Sequence, residues 1–76
     1  MRKYAMIIEK GPTSYGAYVP DLPGCVAVAD TEDGVRKLIQ EAIEFHIDGL
    51  LEDGEPVPEP TSVASEVEVH SRTDAA

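Results

Sequence analysis

Residues 15–31 read YGAYVPDLPGCVAVADT, and the reading of this stretch decides the fold. Tyr15, Ala17 and Val19 alternate with Gly16 and Tyr18, the period of two that marks a strand. Residues 20–24 break that strand. Pro23-Gly24 suits the centre of a type II turn, because Pro fixes the first central residue and Gly supplies the positive φ of the second. Residues 25–29, CVAVA, predict another short strand of small and β-branched residues. Asp30 and Thr31 are both N-cap types, and Glu32 and Asp33 add negative charge where a helix dipole favours it. The stretch therefore predicts a hairpin that feeds a helix.

Working outward, residues 3–9, KYAMIIE, predict a strand with Tyr4, Met6 and Ile8 on one face and Ala5 and Ile7 on the other. Both faces are apolar, which places this strand inside a sheet rather than at its edge. Residues 10–14, KGPTS, form the turn that joins it to the next strand. On the other side, Val35, Leu38, Ile39, Ala42, Ile43, Ile47 and Leu50 recur at steps of three and four, the stripe of an amphipathic helix on a sheet. Phe45 and Leu51 lie at the stripe's margins, and Gln40, Glu41, Glu44 and Asp48 make the wet side. Gly54 is the expected C′ stop.

Residues 55–62, EPVPEPTS, carry Pro at alternate positions and predict an extended polyproline-like connector. Residues 63–69, VASEVEV, predict a fourth strand, with Val63, Ser65, Val67 and Val69 on one face. Residues 71–76 are small and polar and predict a frayed tail, so residues 1–70 make the domain. The expected class is α+β, β-β-β-α-β. A three-stranded antiparallel meander is followed by a covering helix, and a right-handed crossover returns strand four parallel to strand one, in the order 3-2-1-4. One helix covers one face. The other carries Ala5, Ile7 and Tyr18 and calls for dimerisation or partner docking.

Composition bounds the function. Seventy-six residues with a single cysteine leave a marginal core and no intrachain disulfide, which points to a homo-oligomer, dimer or tetramer, or to a partner. The net charge of −9 argues against direct nucleic-acid binding and favours a basic partner. The apolar run behind Met1-Arg2-Lys3 is too short for a secretory core or a membrane span, so a cytoplasmic protein is expected.

Candidate chemistry is thin. Asp21, Asp30, Glu41 and Glu44 could in principle hold Mg²⁺ for a degenerate ribonuclease-H-like nuclease. Each has a plainer reason, however: a turn, a helix cap, a solvated helix face. His46 falls within the apolar stripe, where a histidine can be tuned as a base, although no second catalytic type accompanies it. Cys25 lacks the cations or helix N-terminus that make a thiolate. No cofactor or metal is expected. The contact residues expected for a partner or a second subunit are Ala5, Ile7, Tyr18, Asp21, Glu41 and Glu44.

The ordered series YGAYVPDLPGC, the Ala29-Asp30-Thr31 helix start, Glu41-Ala42 in mid-helix and the proline run from Pro56 to Pro60 resembles the antitoxin domain of the HicB type, from HicA/HicB toxin–antitoxin systems. The resemblance covers about residues 3–70. It implies a β-β-β-α-β fold, similar to half of a ribonuclease H domain without its catalytic acids. It also implies a non-catalytic antitoxin that occludes HicA, a small basic mRNA-cleaving ribonuclease that uses a histidine. Many family members add a C-terminal helix-turn-helix or ribbon-helix-helix domain that binds operator DNA. The resemblance here is to the antitoxin domain alone. An orphan regulatory domain without a toxin is the third reading.

Overall fold

The computed structural model describes residues 2–70. Three antiparallel strands and one helix make an α+β fold: β1 (Ile7–Lys10), β2 (Tyr15–Tyr18), β3 (Val26–Ala29) and α1 (Glu32–Glu52). The sheet order is β1-β2-β3, the meander expected from the two turns. Gly11 N–H donates to the Ser14 carbonyl and closes the first of them. In the second, Leu22 N–H donates to the Val19 carbonyl and Cys25 N–H to the Leu22 carbonyl. Gly24 sits at φ 84°, so Pro23 and Gly24 occupy the two central positions of that last turn as their chemistry requires.

Helix α1 begins where its caps dictate. Thr31 is the N-cap, and its hydroxyl accepts from Gly34 N–H at 2.9 Å. At the far end Gly54 N–H donates to the Leu51 carbonyl and Glu55 N–H to the Leu50 carbonyl, with Gly54 at φ 68°. This paired arrangement is a Schellman motif, and it stops the helix at the glycine read from the sequence.

The core is small: Ala17, Val19, Leu22, Cys25, Val35 and Ile39 are buried. Leu22, Val35 and Ile39 have no exposed surface. Tyr4, Met6, Ile8, Tyr15, Ala27, Ala29, Ala42 and Ile43 pack around them. Leu22 is thus the centre of the DLPGC turn's function: it plugs the sheet's open end against α1, worth about 1.5–3 kcal/mol by burial alone.

The helix outruns the sheet. Twenty-one residues span about 31 Å, whereas a four-residue strand spans about 13 Å. Its N-terminal half therefore covers the sheet, and its C-terminal half projects beyond it. Phe45 is 82% exposed and Leu51 61%, so the stripe's expected margins stay wet.

Two expectations need correcting. The fourth strand is not among the elements of the described residues, and residues 55–70 join no strand pair. In consequence β1 lies at an edge rather than inside the sheet. The physical reason is local. A parallel fourth strand leaving residue 62 would have to pair with residues 3–8, of which only the last two are in regular strand. The expected tail, residues 71–76, lies outside the described residues.

Candidate protein-interaction surface

Strand register builds one continuous row across the sheet's outer face. Ile7 pairs with Tyr18, and Tyr18 pairs with Val26. The next row brings Glu9, Gly16 and Val28 together. Because strand side chains alternate, the five side chains of these rows point away from α1. Ile7, Tyr18, Val26 and Val28 are exposed, the two valines by about two thirds. With Gly16 in its middle strand and Glu9 at its margin, this face is mainly apolar, and no strand or helix of the described residues covers it.

Asp21 has a different task. Its two carboxylate oxygens accept four hydrogen bonds, from Thr61 N–H, the Thr61 hydroxyl, Ser62 N–H and the Ser62 hydroxyl, at 2.9–3.0 Å. The Ser62 amide does most to hold the Asp21 carboxyl below its ordinary value of 3.8, helped by the Thr61 and Ser62 groups and opposed by partial desolvation. Asp21 thus tethers the connector to the β2–β3 turn across forty residues of sequence. The Tyr4 hydroxyl donates to the Pro58 carbonyl, and Arg2 pairs with Glu59 at 3.4 Å on the surface. The expected contact residue of the turn is therefore already engaged within the chain.

The other expected contact residues do not form one patch. Ile7 and Tyr18 are neighbours on the outer face. Ala5, two positions before Ile7, is half-buried. Glu41 and Glu44 are exposed on the helix, on the opposite side of the sheet. Val26 and Val28, the most exposed apolar residues of the sheet, were not singled out by sequence reasoning. The alternation of CVAVA carried the signal, because it sets both valines against Cys25, Ala27 and Ala29. Cys25 is buried, and burial pushes its thiol up, away from a reactive thiolate. His46 is half-buried on the helix. Among the described residues no three His, Cys, Asp or Glu side chains converge as metal ligands would. No helix there is long and apolar enough to cross a membrane.

A family model for HicB-like antitoxins of bacterial toxin–antitoxin systems matches residues 4–75. This chain belongs to the HicB-like antitoxin family. Relatives agree. The chain is 46% identical over 55 residues to a 14.9 kDa protein of the rep–hol intergenic region of Haemophilus phage HP1, a match covering 72% of this chain and 41% of that protein. It is 38% identical over 56 residues to a UPF0150 protein of Synechocystis, covering 72% of this chain and 71% of the relative. A UPF0150 protein of Archaeoglobus fulgidus is 39% identical over 56 residues, covering 70% and 81% respectively. The chain thus spans less than half of the phage relative's length and most of the other two. The family is one of antitoxins from bacterial toxin–antitoxin systems.

Proposed function

We propose that this chain is a non-catalytic binding module that neutralises a small basic mRNA-cleaving toxin of the HicA type by covering its active site. The observation that carries the reading is the uncovered outer face, Ile7, Tyr18, Val26 and Val28, on a chain of net charge −9. An apolar centre supplies the burial that binding needs. The net acidic charge of the chain, to which Glu41 and Glu44 on the far, helical side contribute, speeds encounter with a basic protein. Ala5 borders the same face, and Asp21 supports it indirectly by fixing the turn. A cytoplasmic setting, where such a toxin meets mRNA, fits the reading. The nuclease alternative is weaker, because Asp21 spends both its oxygens on Thr61 and Ser62.

The test mixes the purified chain with a purified HicA-type ribonuclease and follows cleavage of a labelled RNA. Stoichiometric inhibition is expected. The double substitution Val26→Asp/Val28→Asp should raise the inhibition constant at least about tenfold, as loss of interface-centre residues does. Full inhibition by that variant would move the interface elsewhere. RNA cleavage by the chain alone, abolished by Asp21→Ala, would replace the antitoxin reading with the nuclease one.

A further inference from the structure

The two edges of the sheet are not alike. At one, β1 ends in Glu9 and Lys10, and residues 64–66 of the same chain lie across a cavity of about 480 Å³ from Met6 and Ile8. At the other, β3 has no strand beside it among the described residues. Its sequence, VAVA, holds no charge and no proline, and its register with β2 runs without a bulge. Shortness is its only guard against pairing with another chain.

The phase of the ladder shows what that edge offers. Val19 N–H donates to the Cys25 carbonyl, so Cys25 belongs to a hydrogen-bonded pair, and Ala27 and Ala29 follow in the same phase. Val26 and Val28 alternate with them, and their N–H and C=O groups point away from β2, over the free edge. The helix flank above this edge is apolar too. A Cβ at Gly34 would lie 3.4 Å from that of Ala29, which sets the Gly34 side of α1 over β3. Leu38 follows Gly34 by one turn, and Phe45 follows Leu38 by seven residues, within about 20° of it. Both are exposed.

Charge separates the edges as well. Residues 11–35 contain Asp21, Asp30, Glu32 and Asp33 and no Lys or Arg. Glu41, exposed, lies one turn beyond Leu38 on α1. The cations lie elsewhere. Arg2, Lys3 and Lys10 belong to β1 and the chain before it, Arg36 pairs with Glu32, and Lys37 lies about 160° round the helix from buried Ile39, away from the sheet. A second copy would bring an equally acidic edge to this one, whereas a basic chain complements it.

Resting on the antitoxin reading, we propose that an extended segment of the basic toxin adds a strand to the free edge of β3. Its backbone pairs with the outward N–H and C=O groups of Val26 and Val28, the mode by which extended segments bind open sheet edges. Its apolar side chains on the helix side meet Leu38 and Phe45, and its Lys and Arg residues meet Asp30 and Glu41. The valine side chains and the valine backbones then serve one interface, the first through the outer face and the second through the edge.

Amide exchange measured by NMR on the full-length chain, free and saturated with a purified HicA-type ribonuclease, tests this. Val26 and Val28 amides should exchange fast in the free chain and at least about tenfold more slowly in the complex, while Ala27, bonded to β2, is protected in both. Val28→Pro removes the outward N–H without taking a bond from β2, a position where an edge strand accepts proline. It should raise the inhibition constant at least about tenfold, and Val28→Ala, which keeps the N–H, should raise it less. Docking through the side chains alone reverses that order. Circular dichroism checks that both variants keep the helix, and where Val28→Pro does not, the exchange rates of the unaltered chain decide. Full inhibition with Val26 and Val28 amides still exchanging fast would overturn edge pairing and leave the antitoxin reading standing. No complex and no inhibition would overturn both. Protection of the two amides in the toxin-free chain, rising with its concentration, would give the edge to a second copy and refute the proposal.

Discussion

Two regions of this chain obey different rules. Residues 15–43, from β2 through the front of α1, are closed on the side of the sheet that faces the helix, and only Tyr18, Val26 and Val28 on the outer face and Leu38 on the helix stay exposed among their large apolar residues. Turn amides find carbonyls, Thr31 caps the helix, and Leu22, Val35 and Ile39 leave no surface to water. Residues 44–70 are open: Phe45, Leu51, Val63, Val67 and Val69 are all largely exposed, and few hydrogen bonds hold the segment. The difference teaches where the chain's apolar residues are spent. In the first region the buried ones, Leu22, Val35 and Ile39 foremost, stabilise the protomer. In the second they remain available to other polypeptide, which is what a domain of this size with a small core requires.

The contrast is broken most directly by truncating side chains in each region. Leu22→Ala and Ile39→Ala empty fully buried sites and should each cost about 2–5 kcal/mol, enough to unfold much of a marginal domain. Leu51→Ala should stay within about 0.5 kcal/mol, because its side chain leaves little water-free surface to lose. Urea denaturation followed by circular dichroism at 222 nm measures both. Equal losses at the two sites would mean that the projecting half of α1 is packed in solution.

A second comparison sets glycine against glycine. Gly24 lies at φ 84° with open space where a Cβ would go, so Gly24→Ala carries only backbone strain, about 1–2 kcal/mol. Gly49 sits inside α1 with equal space around it and without a positive φ. Gly49→Ala should therefore stabilise the helix by up to about 1 kcal/mol. Opposite signs in thermal melts sharpen the contrast between a turn that needs its glycine and a helix that tolerates one. Like signs would contradict the backbone geometry of the turn.

The closed region is also the one that could be read from sequence. Pro23-Gly24, Asp30-Thr31 and the step of three and four in Val35, Ile39, Ala42 and Ile43 are local signals, each with a local physical cause, and the corresponding turn, cap and helix face are where they predict. Gly54 likewise ends the helix for a reason contained within a few residues. The open region resisted. The alternation of residues 63–69 reports strand preference, but pairing depends on an edge far away in sequence, and the edge of β1 is too short and irregular to take it. Asp21 was legible as a turn residue only, because its partners Thr61 and Ser62 lie forty positions on. The outer-face valines were legible in principle, since alternation alone sets them opposite Cys25 and Ala27.

Asp21 joins the two regions, and its ionisation gives the smallest and most local prediction. Its carboxyl is held below 3.8 by donors that prefer the anion, the Ser62 amide first. A depressed acid contributes stability above its unfolded value and loses it as pH falls through the folded value. The tether should therefore be intact at neutral pH and slacken only below about pH 4. Amide exchange at Thr61 and Ser62 reads this without global unfolding: protection at pH 6 should vanish in Asp21→Ala and persist in part in Asp21→Asn, whose amide oxygen can still accept. Helix amides around Ile39, in the closed region, should be unmoved by either substitution. If Asp21→Ala leaves Thr61 and Ser62 protected, some other contact holds the connector. If it deprotects Ile39 as well, the two regions are a single cooperative unit and the contrast between them fails.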